Sequence, residues 1–127
     1  MRSNKDRLTE LFELRKSFMK SLEAARPGTY PEWPVNISEK KSQQILRDTA
    51  LKGIEEMFEA LQHLKNWKPH RSTEIQDFDK EEFLEEVVDA FNYFLSVLAL
   101  VGVDQDDFYE AYLKKDQIIR DRISNGY

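Results

Sequence analysis

Two short acidic runs are the part of this sequence best suited to chemistry: Glu55-Glu56-Met57-Phe58-Glu59 and Glu85-Glu86-Val87-Val88-Asp89. In each, two carboxylates stand three residues apart, Glu56 with Glu59 and Glu86 with Asp89. At ~100° per residue such a pair lies within about 60° on one helix face, so both carboxylates can reach one point. Like charges at that spacing repel and destabilise an isolated helix. Neither pair has a Lys or Arg at i+4 to offset it. Ala60 and His63 follow Glu56 and Glu59, and Ala90 and Tyr93 follow Glu86 and Asp89. The pattern is expected of sites where a cation supplies the missing charge. Ligation by oxygen alone suits a hard ion, Mg²⁺ or Mn²⁺. A di-iron carboxylate centre would need Glu-x-x-His on two helices, whereas Glu59 and His63 are four apart.

A Mg²⁺ site commonly shares its ion with substrate phosphates, whose remaining charge needs basic partners. Lys65, Lys68, His70 and Arg71 follow the first acidic run. Lys114, Lys115, Arg120 and Arg122 lie near the end of the chain. There is no Gly-rich phosphate loop of the Walker type.

The elements that must position these groups read as helices. The 4 Gly and 4 Pro are clustered, with Pro27, Gly28, Pro31 and Pro34 in one loop, Pro69 in a second, and Gly102 and Gly126 as helix ends. Between these breaks the apolar period is about 3.6. It predicts helices over about Lys5–Ala25, Ser38–Leu64 with Ser38 as N-cap, Asp79–Val101, and Gln105–Asn125. The expected fold is all-α, a single four-helix domain. Leu51, Ile54, Phe58 and Leu61 form one apolar stripe, with Glu56 and Glu59 on the far side. Leu84, Val87, Phe91, Phe94 and Leu98 form another, opposite Glu82, Glu85, Glu86 and Asp89. Leu8, Leu11, Phe12, Leu14, Phe18 and Leu22 make a heptad-like seam in the first helix. Stripes this wide in so small a chain imply an oligomer.

Composition narrows the function. The chain has 127 residues and no cysteine, which excludes disulfides, thiolate metal sites and thiol nucleophiles; 2 histidines exclude a three-His centre. The net charge is −5. The half before Leu51 is net +3 and the remainder net −8, a poor balance for duplex binding. The apolar stretch from Val87 to Val103 contains Asp89 and Asn92 and falls short of a ~20-residue membrane span. No apolar signal core follows the charged N-terminus. A cytoplasmic protein with neither nucleic-acid nor membrane partners is expected.

The ordered elements Glu-Glu-x-x-Glu and Glu-x-x-Asp resemble the all-α nucleoside triphosphate pyrophosphohydrolases: MazG-like proteins, dimeric dUTPases and phage dCTPase–dUTPases. The gap between Glu59 and Glu86 is similar to the dimeric dUTPase branch. Asn66-Trp67-Lys68-Pro69 resembles its Trp-Lys loop, and Val88-Asp89-Ala90-Phe91-Asn92-Tyr93-Phe94 resembles its Val-Asp-x-x-His-Phe segment, with Asn92 at the His position. Tyr112-x-x-Lys115 and Arg122-x-x-x-Gly126-Tyr127 resemble its closing motif. The resemblance spans about Ile54 to Tyr127. It implies a Mg²⁺-dependent enzyme, with Mn²⁺ able to substitute, that cleaves a deoxynucleoside triphosphate, dUTP or dCTP, to the monophosphate and pyrophosphate. It makes Glu56, Glu59, Glu86 and Asp89 the metal ligands, which hold the triphosphate through the ions and activate a water for attack at the α-phosphorus. Glu55 or Glu59 would orient or deprotonate that water. Lys115, Arg122 and Tyr127 would bind phosphate, Trp67 and Lys68 would lie by the substrate, and Asn92 near the sugar or base. The assembly it implies is a homodimer or a tetramer.

The sequence departs from that pattern at three positions. Ile119 and Asp116 stand where Asn is common, and Arg15 stands where dUTPases place a Gln that reads uracil. These changes bear on the choice of base more than on the hydrolysis. A MazG-like hydrolase of broad specificity and a non-catalytic helical interaction module are the competing readings.

Overall fold

The computed structural model describes residues 6–72 and 77–126, and these are all-α. Four helices follow in order: α1 (Arg7–Ala25), α2 (Lys40–Leu61), α3 (Lys80–Val101) and α4 (Gln105–Ser124), with no strand among the described residues. The chain divides into two compact units. The first comprises Met1–Val35 and Leu98–Tyr127, the second Asn36–Val97.

The helix ends follow from side-chain capping. Asp6 accepts from the Thr9 backbone N–H at 2.9 Å and begins α1. The Asp79 carboxylate accepts from Glu82 N–H at 3.1 Å and begins α3. Asp104 and Asp107 form a reciprocal capping box at α4. These hydrogen bonds hold the Asp6 and Asp104 carboxyls below their ordinary range. The start of α2 differs from expectation. Its N-cap is Glu39, which makes no side-chain cap bond, and Ser38 does not cap. Instead the Asn36 side chain accepts from Ser38 N–H at 3.1 Å, a local turn that delays the helix. The end of α2 also comes early, at Leu61. The next three residues close tight i+3 turns, His63 N–H to Ala60 and Leu64 N–H to Leu61 among them.

In the first unit, α1 and α4 meet through large side chains. Phe12 is buried and its ring lies 6.1 Å from that of Phe108; Met19 and Leu100 are also buried. The loop after α1 is held by Glu23, whose carboxylate accepts from Gly28 N–H at 2.7 Å and Tyr30 N–H at 2.9 Å. Gly102 ends α3 as expected, at φ +92°, a left-handed conformation that favours glycine. A Cβ there would also stand 3.0 Å from the Pro34 ring.

In the second unit, α2 and α3 pack through small side chains. Gly53, Ala60 and Ala90 are buried. A Cβ on Gly53 would meet the Phe94 ring at 3.0 Å and the Ala90 carbonyl at 3.2 Å. Gly53 meets Ala90 and Phe94 while His63 meets Glu86, so the helices run antiparallel. This contact is not the expected one. Leu51, Ile54, Phe58 and Leu61 are between 41 % and 59 % exposed, and Leu84, Val88 and Phe91 are exposed as well. Several large apolar side chains of this hairpin therefore face outward, while Gly53 and Ala90 let the helices approach, with the Phe94 ring packed over Gly53.

Candidate functional site

The α2 residues that look toward α3 follow a helical register: Gly53, Glu56, Ala60 and, just past the helix end, His63. On each helix the carboxylates lie to one side of this small-residue seam and the large apolar side chains to the other. Antiparallel pairing then sets acid beside acid. Close approach of the two backbones, permitted by Gly53 and Ala90, brings Glu56 and Glu59 near Glu86 and Asp89.

The charges of Glu59, Asp89 and Glu86 all act on Glu56. The Glu56 carboxyl is raised above its ordinary range, first by partial burial, then by the charge of Glu59 and a hydrogen bond with it, then by the charges of Asp89 and Glu86. A carboxylate that is costly to ionise beside three others is the repulsion expected from the sequence, now extended across two helices. His63 Nε2 stands 2.9 Å from Glu86 Oε2, with both side chains partly buried. Although the two atoms are close, this oxygen is shielded from solvent and receives no aligned hydrogen bond. Among the described residues, no group of three or more His, Cys, Asp or Glu side chains is placed so that it could hold a metal ion. The carboxylates are hard oxygen donors, and the Glu86 oxygen faces the His63 imidazole.

The remaining expected residues fall in different places. Glu55 is exposed on α2, about 100° around the helix from Glu56, and no contact joins it to the four. Asn92 is half-buried on α3, three residues beyond Asp89. Trp67 is 69 % exposed, and the Lys68 ammonium lies 5.6 Å from its ring centre. These two border an open groove of about 860 Å³ with an apolar wall of Phe58, Leu61 and Leu64 and a basic rim of Lys65, Lys68 and Arg71. Its walls suit a planar apolar group carrying negative charge. Lys115 and Arg122 lie on α4, in the first unit. Arg122 borders a shallow groove with Ile118, Asp121 and Asn125. Tyr127 lies outside the described residues. Of the departures from the resembled pattern, Asp116 is taken up by an ion pair with Arg120 at 2.7 Å, and the Arg15 guanidinium stacks 4.7 Å over Phe18.

Two features were not anticipated from the sequence. One is the Gly53–Ala60 and Ala90 seam, whose signal was small residues at helical spacing beside the acids. The other is His63, which the spacing Gly53, Glu56, Ala60, His63 would have placed on the same face.

These features describe an all-α protein in which carboxylates of two antiparallel helices lie near one another. No single helix among the described residues is long and apolar enough to cross a membrane. Comparison with protein-family models, with curated proteins and with solved structures returned no match.

Proposed function

We propose that this protein is a divalent-metal-dependent nucleoside triphosphate pyrophosphohydrolase of the MazG-like and dimeric dUTPase kind, acting on dUTP or dCTP. The observation that supports this reading most is the convergence of Glu56, Glu59, Glu86 and Asp89 from two helices, with Glu56 hydrogen-bonded to Glu59 and destabilised by all three. Three neighbouring carboxylates raise the cost of ionising Glu56, which is sensible if their charge is balanced by a bound ion.

In this reading Glu56, Glu59, Glu86 and Asp89 hold Mg²⁺ or Mn²⁺. When bound, the ion would neutralise the triphosphate and lower the pKa of a water molecule. Glu59 or Glu55 orients the water and takes its proton. Oxygen adds at the α-phosphorus, the bond from that phosphorus to the α,β-bridging oxygen breaks, and pyrophosphate leaves. Trp67 and Lys68 receive the nucleotide at the groove beyond α2, and Asn92 lies toward the sugar or base. The resemblance gives Lys115, Arg122 and Tyr127 a phosphate-binding role. The substrate pool places the enzyme in the cytoplasm.

The same reading includes self-association, as a homodimer or a tetramer. Leu51, Ile54, Leu84, Val88 and Phe91 are exposed on the side of the hairpin away from the acids, apolar surface of the kind a subunit interface covers.

The test is pyrophosphate release from a panel of nucleoside triphosphates and diphosphates, with Mg²⁺ and with EDTA. Metal-dependent turnover of dUTP or dCTP alone is the expected result. Turnover across the panel would make the protein a broad-specificity MazG-like hydrolase. Folded protein that binds Mg²⁺ and turns over nothing would leave a helical interaction module.

A further inference from the structure

We propose that α4 pairs antiparallel with α4 of a second copy of this chain, as a two-stranded coiled coil about a twofold axis near Lys114. This surface is separate from the hairpin face named above, and the inference does not rest on the metal reading.

α4 is a 20-residue helix with no buried residue. Phe108, near its start, meets Phe12 of α1 at 6.1 Å between ring centres. From Asp106 to Gly126 every residue except Asp116 is exposed. A helix of this length is marginal in water by itself, and most helices draw their stability from packing an apolar face. α4 carries such a face. Tyr109, Tyr112, Asp116, Ile119 and Ile123 follow one another at alternating steps of three and four, the a and d positions of a heptad. The four apolar and aromatic members are between 38 % and 68 % exposed.

Charge identifies the occupant and its direction. The first half of α4, residues 105–113, holds three acids and no base. The second half, 114–124, holds four bases against two acids. Two copies laid antiparallel set each acidic half on a basic one. In that pairing a positions meet d positions, so Tyr109 faces Ile119 of the second copy. Tyr112 faces Asp116 of the second copy, and its phenol can donate to that carboxylate. The flanking e positions are Asp106, Leu113 and Arg120. Across an antiparallel seam e meets e, which joins Asp106 to Arg120 of the second copy and sets the two Leu113 side chains together at the axis. Arg120 pairs with Asp116 in its own helix, yet its side chain is 71 % exposed. A parallel pair would instead place Lys115 beside Arg120, like charge against like.

The experiment is sedimentation velocity on the full chain, with helix content followed by circular dichroism. The wild-type protein is expected to be dimeric. Ile119→Glu, at an exposed position, should keep the helix content and raise the dimer dissociation constant by about 100-fold, since a charge would enter the seam. Asp106→Arg and Arg120→Glu should each weaken the dimer by about tenfold, and the double variant should restore it, because the pair is then reversed in sign. A monomeric wild-type chain would overturn the inference. So would a dimer that survives Ile119→Glu and dissociates with Phe91→Glu, which would put the contact on the hairpin. A double variant weaker than either single one would overturn the antiparallel register. None of these readouts uses nucleotide or metal, so failure here leaves the pyrophosphohydrolase reading untouched.

Discussion

The two helix pairings in this chain solve the same packing problem in opposite ways. Where α1 meets α4, the contact is large and apolar, with Phe12 against Phe108 and Met19 fully buried. Where α2 meets α3, the contact is small, with Gly53, Ala60 and Ala90 in the seam and Phe58 and Phe91 turned outward. The first arrangement gains stability from apolar area removed from water. The second gives up that gain for proximity. Two backbones brought close where Gly53 faces the Phe94 ring and the Ala90 carbonyl can bring carboxylates of both helices near one another. The comparison teaches that close backbone approach, rather than apolar burial, is what brings charged groups of two helices together.

The comparison can be broken from either side. Phe12→Ala empties a fully packed position and should cost about 3–4 kcal/mol of unfolding free energy in urea melts, while nucleotide turnover in the folded fraction is unchanged. The reverse outcome is expected at the acidic site. Glu56→Gln should lower pyrophosphate release by roughly 100-fold, about 2.7 kcal/mol in the barrier. It should raise the melting temperature of metal-free protein at the same time. The sign follows from the raised Glu56 carboxyl. A group that binds its proton more tightly when folded makes stability fall as pH rises through its folded-state pKa. The gain from the amide is therefore full at neutral pH and fades toward about pH 4, where Glu56 is protonated in folded and unfolded chains alike. A Glu56→Gln variant less stable than the parent at pH 7 would show that the carboxylates do not strain one another.

A third change sharpens the role of the seam. Gly53→Val puts methyl groups against the Phe94 ring and the Ala90 carbonyl. It should cost about 2 kcal/mol and, by parting the helices, weaken divalent-ion binding measured by calorimetry. A smaller effect tests a feature outside both contacts. Asp104→Ala removes the α4 capping box and should cost about 1 kcal/mol in thermal melts, with no change in metal binding.

The sequence went a long way toward the helices. Apolar period and the Gly and Pro breaks placed all four to within a few residues. The exceptions were local hydrogen bonds, such as Asn36 holding Ser38 and displacing the N-cap of α2. The pairing of acids was also legible, because i, i+3 spacing on a helix forces Glu56 beside Glu59 and Glu86 beside Asp89 whatever surrounds them. Which face of each helix meets its neighbour was not. Leu51, Ile54, Phe58 and Leu61 read as a core stripe because hydrophobicity alone says what avoids water, not which partner covers it. Tertiary structure decided for the small-residue face, since only there can two helices approach closely. That decision joined the two acidic pairs and brought His63, unremarkable in the sequence, to the oxygen of Glu86.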